Sequence, residues 1–485
     1  MKTSTKEKEH KKTDIVFINP PLSHKERYGL KFKIGGQTPP TGLALLAAVC
    51  REHNYKVRII DAPTSKLDYK STIRRIIKLS PKYVGLTAVT LSIFNTMNVA
   101  KILKKHNPKI KLILGGAHIT AAPFETIEKF GNVFDILCIG ESEDTIIDLL
   151  DTLENNKPLE NVNGIAYLNK EKYKFTEKRE FIKDLDKLPM PAWDLLPNLA
   201  RNYCPPAHTV KRFPAALVIT SRGCPGQCTF CDNKVFGKTL RSHSADYVIN
   251  MIEHLQKNYG IKEIQFRDDN FTVFKLRNQE LFKKMGEKKI DIAWSCAARV
   301  DMITQETLAL MKKAGCWQIW YGIESGSDKV LKAIKKNTTV EKIRKAIIMT
   351  KQAGISPCGF FMIGMPKETK EDIKKTIKLL LDLPLDEFHI SHLAPFPGSE
   401  IYNTANQYGY FDNDWKKMSG WKTIFIPKDL TEEEIIKYSK KAMRKFYLRP
   451  RIIFQYLRRI RSFRHFKVYL SAFMAFIVLS ILRKK

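Results

Sequence analysis

No stretch of this chain holds the ~20 consecutive apolar residues that a membrane-spanning helix needs. The longest candidate, Val468 to Leu482, has 15 residues, so a polytopic membrane protein is excluded. An apolar leader is also missing. The first twelve residues, MKTSTKEKEHKK, are polar and run straight into a strand pattern, so no secretory signal is expected. Cysteine is sparse: nine in 485 residues argue against a disulfide framework and for a reducing, cytoplasmic interior. Internal repeats of roughly 20–50 residues and low-complexity tracts are lacking too, which excludes solenoids and propellers. Acid is unevenly spread along the chain. From Lys440 to Lys485 there are fourteen Lys and Arg and no Asp or Glu.

What is present fits a large globular protein. The 44% hydrophobic content is enough for a packed core, and 485 residues suggest two to four domains at ~100–200 residues each. The formal charge is +33.

Residues 13–150 alternate short apolar runs with amphipathic segments. DIVFINPP (14–21), KVRIIDA (56–62), YVGLTAVT (83–90), KLILGGAH (111–118) and DILCIGESE (135–143) read as strands, with helices such as 42–54 and 71–80 between them. Continuous β-branched runs interleaved with helices indicate a parallel sheet covered on both faces. Ligands on such sheets bind outside the carboxyl ends of the strands. Asn19 with Pro20, Thr87 with Thr90, Gly115-Gly116 with His118, and Gly140-Glu141 sit there. They read equally as ligand contacts or as ordinary turn residues. Residues 151–212 read as a connector, with a strand–turn–strand followed by a Pro-punctuated crossing whose Trp193 prefers burial.

A second βα series, 213–430, carries six strands: ALVITSRG, EIQFRDD, IAWSCAAR, CWQIWYGIES, SPCGFFMIGMP and EFHISHLAPF. Six units are too few for a closed eight-strand barrel, so a partial (β/α)6 barrel is expected. On the loop after its first strand, RGCPGQCTFCDN places Cys224, Cys228 and Cys231 in a C-x3-C-x2-C spacing. Three thiolates on one loop can ligate metal. Zinc sites commonly use two ligand pairs, and no second pair is spaced to complete one. An iron–sulfur cube with one iron open to a small molecule suits three cysteines better.

The spacing, with aromatic Phe230 before the last cysteine, resembles the signature of the radical S-adenosylmethionine (SAM) superfamily. That resemblance implies a 4Fe-4S cluster on the three cysteines and reductive cleavage of SAM to a 5'-deoxyadenosyl radical. It further implies that Asp268 and Asp269 of FRDDNFT receive the SAM ammonium, and that Glu324 and Ser325 of YGIESGS hold its ribose and methionine portions. FFMIGMP (360–366) would pack on adenine, and HLAPFPGS (392–399) would form the sixth-strand turn. Arg299 would grip the SAM carboxylate, a group that a guanidinium binds bidentately. An external one-electron donor such as flavodoxin or ferredoxin is implied as well.

The N-terminal half resembles the flavodoxin-like cobalamin-binding domain of the same superfamily. NPP near the first strand, P-x-G-L-x-x-L at 40–46, G-L-T-A-x-T at 85–90, GG-x-H at 115–118 and a late I-G-E-S-E carry that likeness. It implies cobalamin contacts at Asn19, Thr87, Thr90, Gly115, Gly116, His118, Gly140 and Glu141. The D-x-H-x-x-G loop that supplies a lower cobalt ligand is absent. Histidine from that motif is therefore not expected beneath cobalt. The function implied is cobalamin-dependent C-methylation of an unactivated carbon in a hydrophobic or lipid-like small molecule. Oxidative cyclisation or rearrangement without methyl transfer is the alternative. An RNA-modifying methylthiotransferase would need three further N-terminal cysteines, and residues 13–150 hold only Cys50 and Cys138. The remaining cysteines read as buried thiols.

The extension 431–485 begins with a capping-box pair, Thr431 and Glu434, and breaks at Pro450. Beyond the break, Ile452, Ile453, Tyr456, Leu457, Ile460 and Phe463 recur at helical spacing, opposite Arg458, Arg459, Arg461 and Arg464. Such a helix suits the surface of an anionic membrane, peripherally on the inner face, better than nucleic acid. For 431–449 the competing expectation is a helical pair completing the barrel's open side.

Overall fold

The computed structural model describes residues 13–28, 36–460, 466, 469–470, 473–474 and 476–477. The polar N-terminus, Arg461, Phe463, Arg464, Lys467, most of 468–482 and the last three basic residues lie outside the described residues. The chain divides into two compact units, 1–22 with 40–181 and 188–197, and 23–39 with 182–187 and 198–485.

The first unit is built on seven strands: β1 Ile15–Asn19, β2 Val57–Asp61, β3 Tyr83–Thr87, β4 Lys111–Gly115, β5 Ile136–Cys138, β6 Ile165–Asn169 and β7 Lys172–Phe175. Their order is β2-β1-β3-β4-β5-β6-β7. The first five pair in parallel, in the 2-1-3-4-5 order of flavodoxin-like sheets. Apolar side chains fill both faces: Ile15, Val16, Ile18, Val84, Leu112 and Leu114 are fully buried. Gly85 lets the Phe17 ring cross the sheet, since a Cβ there would stand 2.7 Å from it. The helix Thr41–Glu52 covers one face with Leu43, Ala44, Ala47 and Ala48. The helix Tyr69–Leu79 starts where the Asp68 carboxylate accepts from the Ser71 amide.

The strand–turn–strand of 165–175, read from sequence as connector, instead extends this sheet. β6 pairs antiparallel with β5, and β7 with β6. Two strands cannot bury a face alone, whereas the open edge of β5 supplies both partners and cover.

The second unit carries β8 Ala215–Val218, β9 Ser221–Arg222, β10 Arg241–Ser242, β11 Glu263–Phe266, β12 Ala293–Ala298, β13 Cys316–Glu324, β14 Ser356–Ile363 and β15 Glu387–His392. Six of these form one sheet in the order β15-β14-β13-β12-β11-β8, every neighbour parallel. This is the six-stranded partial barrel that the βα count predicts. Its crossover helices begin at hydroxyl caps, with Ser244, Thr304, Thr339 and Thr369 each accepting from an amide three residues on.

The helix Glu432–Tyr447 has the expected capping box at Thr431 and Glu434. Phe446 and Tyr447 pack on Phe388 of β15, and the Tyr447 hydroxyl donates to the Phe388 carbonyl at 2.7 Å. Residues 432–447 are thus part of the barrel's cover. The helix Pro450–Arg459 departs from the expected two faces. Ile452 is buried, and Arg451 donates to the Leu385 carbonyl at 2.7 Å. Ile453, Phe454 and Leu457 face outward, at 45%, 59% and 59% exposure. Arg451 and Arg459 turn toward the carbonyls and acids at the start of β15, so the expected apolar stripe divides, with Ile452 inward and Ile453 and Leu457 toward solvent. Among the described residues, no helix is long and apolar enough to cross a membrane.

Candidate active site

Parallel pairing puts the carboxyl ends of β8 and β11–β15 along one edge. The cysteine loop rises from that edge, framed at its base by the antiparallel pair β9–β10. Gly223 opens the loop at φ +88°, where a Cβ would stand 2.1 Å from the Thr239 carbonyl oxygen, so no other residue fits. The loop is stitched to its neighbours at three points. The Thr229 amide donates to the Ile334 carbonyl (3.1 Å), the Ile401 amide donates to the Thr229 carbonyl (2.9 Å), and Gly398 lies flat on Asp232.

Cys224 and Cys228 are half-buried and Cys231 is exposed. A Cβ placed on Gly226 would meet the Cys224 Sγ at 3.3 Å and the Cys228 Sγ at 3.9 Å, so glycine keeps the centre of the loop open between the sulfurs. Although the residue as a whole is exposed, enclosure of its sulfur within the loop and the two neighbouring thiols push the Cys231 thiol up to about 12. Three adjacent thiolates therefore need a cationic core to coexist. Among the described residues, no three His, Cys, Asp or Glu side chains converge on a single ion. Three cysteines on one loop suit a cube in which each thiolate would hold a different iron.

Around this loop stands a ring of charged side chains. Asp268 is buried, and its carboxylate accepts from the Thr220 amide (2.5 Å), the Thr220 hydroxyl (2.7 Å) and the Ser221 amide (2.9 Å). It clamps the start of the cysteine loop. Its neighbour Asp269 is exposed and accepts from the Gly223 amide, which leaves carboxylate oxygen available at the strand end. Arg299 follows β12, forked onto Asp301 at 3.0 and 2.9 Å, and donates to the Lys336 carbonyl at 3.0 Å. The negative charge of Cys228 and Cys224 reaches it.

At the end of β13, Glu324 adopts φ +62°, a strained conformation for a residue with a side chain. Its Oε1 receives the Lys336 ammonium at 2.7 Å, with side-chain exposures of 8% and 10%. Gly322 makes room for the pair: a Cβ there would stand 2.6 Å from both charged atoms. Burial opposes the Lys336 charge, but Glu324 and Cys228 outweigh it and raise its pKa. Lys336 also lies over the Phe230 ring at 5.8 Å, which ties the ion pair to the cysteine loop. Ser325 is fully buried, its hydroxyl 3.1 Å from that of Thr376, and fastens the strand end to the helix Lys370–Asp382. Sequence reading missed Lys336, Gly322 and Asp301. Lys336 lies in KAIKKN, a run that looks like a solvated helix end, and only its burial reveals it.

In the first unit, Asn19, Thr87 and Gly115 are the last residues of β1, β3 and β4, and Gly140-Glu141 follows β5 by one residue. Asn19 donates to the buried Asp61 carboxylate at 2.8 Å. Gly116, at φ +101°, packs where a Cβ would meet the Thr87 hydroxyl at 2.6 Å. Gly140 has open space around it, and its amide donates to the Thr120 hydroxyl at 2.9 Å. The edge is lined by small residues beside the exposed Val89, a cradle that suits a large planar group. His118 is buried and is held at about 4 by burial, hence neutral. Its Nδ1 lies 3.1 Å from the Thr90 hydroxyl and its Nε2 3.2 Å from the Thr126 hydroxyl. Thr126 donates to the Ala122 carbonyl, so it accepts from Nε2–H, and Nδ1 in turn accepts from Thr90. With both ring nitrogens engaged, His118 organises the edge and has no lone pair to spare for a metal.

The Radical SAM superfamily model matches residues 218–380, and the B12 binding domain model matches residues 29–150. The chain is similar to the uncharacterized methyltransferase PH0819 of Pyrococcus horikoshii, 33% identical over 442 residues, covering 90% of this chain and 93% of that protein. It is 27% identical to an anaerobic magnesium-protoporphyrin IX monomethyl ester cyclase of Rubrivivax gelatinosus, over 86% of this chain and 75% of that one. In fold it is similar to the cobalamin-dependent S-adenosylmethionine radical enzyme OxsB with aqua-cobalamin and S-adenosylmethionine bound. The TM-score is 0.72 at 18% identity, covering 98% of this chain and 76% of that chain.

Proposed function

This chain belongs to the radical SAM enzymes that carry a B12-binding domain, and from that premise we propose that it methylates an unactivated carbon of a hydrophobic, lipid-like small molecule. Its cofactors are a 4Fe-4S cluster, SAM and cobalamin. When bound, they supply a 5'-deoxyadenosyl radical and a methyl carrier. The observation that carries the site reading is the cysteine loop, with the Cys224 and Cys228 sulfurs beside Gly226 and the Lys336–Glu324 pair against its aromatic residue.

The protein's own groups divide the work of holding SAM. Asp269 offers an accessible carboxylate for the ammonium, while Asp268 keeps the loop in place. Arg299 and Lys336 supply positive charge for the carboxylate. Gly322 admits the Glu324–Lys336 pair at the end of β13, and Met365 with Gly364 forms a turn braced by Glu368, which accepts from both their amides. The same barrel face supports an apolar substrate. Trp320 shares that face of β13 with Glu324, four residues on, and stacks on Phe360 of β14 at 4.8 Å. His389 of β15 meets Trp421 edge-on at 4.8 Å, and burial lowers its pKa to about 4, so this wall is neutral and aromatic.

Methyl transfer is tested by anaerobic incubation of the reconstituted protein with methyl-deuterated SAM, dithionite and an organic extract of the expressing cells. The expected result is an extractable species that gains a deuterated methyl. A product that loses hydrogen without gaining label would indicate ring closure instead.

The flank of the second unit supports placement at an anionic membrane. Ile453 and Leu457 are exposed in a region with fourteen cations and no acid. The same basic surface suits an acidic external electron carrier of the flavodoxin or ferredoxin kind. Changing Ile453 and Leu457 to Ser should weaken binding to anionic liposomes about tenfold, since each removes partly exposed apolar area. Sedimentation equal to that of the unaltered chain would remove the membrane reading.

A further inference from the structure

Opposite the cysteine loop, at the amino ends of the same strands, the second unit contains a cavity of about 550 Å³ that the radical chemistry does not use. Its position follows from its walls. Trp317 is the second residue of β13, Asp386 immediately precedes β15, and Lys351 lies in the last turn of the helix that leads to β14. The basic helix Pro450–Arg459 closes over it.

The lining charge is one-sided. His208, Lys211, Lys351, Arg451, Arg458 and Arg459 border the cavity, against the single acid Asp386. The nearby acids are already engaged. Asp386 holds Lys351 at 2.6 Å, and Glu387 holds His208 at 3.0 Å through one oxygen, its other oxygen buried without a hydrogen-bond partner, and faces Arg459. Glu263 accepts from the Lys211 and Arg212 amides and from the Trp317 ring N–H. What remains is an excess of cations. Arg459 has a buried Nη1 with no hydrogen-bond partner, and the Arg458 guanidinium lies over the Phe454 ring at 5.1 Å. Several guanidinium and ammonium groups around one void repel one another, and a multiply charged anion with many acceptor oxygens relieves that repulsion. Val210, Trp317 and Phe454 give the void an apolar wall, so the anion would carry an organic body.

We infer that this cavity binds a phosphate ester, the phosphate among Lys211, Arg451, Arg458 and Arg459 and the organic portion against Phe454 and Trp317. The ester's source is a lipid headgroup or a soluble metabolite. The site stands independently of the methyl-transfer reading, since none of its residues belongs to the SAM or cobalamin edges.

The test is calorimetric titration of the full-length reconstituted protein with inorganic phosphate. It is paired with flotation on phosphatidylcholine vesicles with and without phosphatidate. Lys211 and Arg458 are exposed, so Lys211→Gln with Arg458→Gln should leave the fold intact while weakening phosphate binding at least tenfold. A control of equal charge, Lys283→Gln with Lys437→Gln on other exposed surfaces, should bind as the unaltered chain does. Phosphatidate-dependent flotation that inorganic phosphate reverses supports the site with a headgroup occupant. Saturable phosphate binding without that flotation supports it with a soluble ester. Absence of saturable binding, or an equal loss in the control pair, overturns it.

Discussion

Changing Cys224, Cys228 and Cys231 together to Ala should leave the anaerobically reconstituted chain without its iron–sulfur cluster, the visible absorbance and the bound iron falling to background. The expectation rests on the loop itself. Gly223 and Gly226 open it where a Cβ would strike Thr239 or crowd the sulfurs, and no other cysteines stand ready to replace the three. Cys296, Cys316 and Cys358 lie within barrel strands, all buried, Cys50 and Cys138 are in the other unit, and Cys204, half-buried, is a single residue whose backbone pairs with Gln37. The folded state should survive the change, because backbone hydrogen bonds from Thr229 and Ile401 hold the loop, not the thiols. Full iron loading in the triple variant would move the cluster elsewhere and undo the site.

The second large effect is expected at Lys336. Its ammonium and the Glu324 carboxylate are buried together at 2.7 Å, in the gap that Gly322 leaves. Changing Lys336 to Met strands a buried carboxylate, a loss on the order of 3–5 kcal/mol. Adding Glu324→Gln to Lys336→Met should recover much of it, because a buried amide costs far less than an uncompensated charge. Thermal unfolding of the two variants reads this directly. SAM affinity separates the second role: if Lys336 also meets the SAM carboxylate, the double variant should refold to near-normal stability yet bind SAM poorly. Restored stability with unchanged SAM affinity would confine Lys336 to a structural role, and an unaltered melting point in the single variant would contradict the buried pair altogether.

These two sites differ in how far they could be read from sequence. The cysteines announce themselves, because three thiols at short spacing among Gly, Pro and Thr have few structural uses. The strand ends were legible for the same kind of reason, as β-branched runs terminate in small or polar residues at Asn19, Thr87, Gly115 and Asp268. The sequence does not distinguish Asp268 from Asp269, since both follow β11 and only the fold shows which one is buried against Thr220. Lys336 was invisible for want of a long-range clue: its partner lies twelve positions earlier and its burial depends on Gly322. The hairpin 165–175 was recognised as two strands but not placed, because the edge of β5 that receives it is a tertiary feature. The helix Pro450–Arg459 is legible in its period, but not in how its apolar stripe divides, with Ile452 buried and Ile453 and Leu457 exposed. Helical spacing separates two faces, but the carbonyls and acids at the start of β15 decide which residues turn inward.

The central claim is that this chain houses a SAM-cleaving radical centre, and reductive SAM cleavage measures it most directly. Reconstituted, cobalamin-loaded protein given SAM and dithionite without oxygen should release 5'-deoxyadenosine and methionine, with neither formed when the reductant is withheld. Protein with its full complement of cluster iron and bound SAM that yields no 5'-deoxyadenosine would contradict the account.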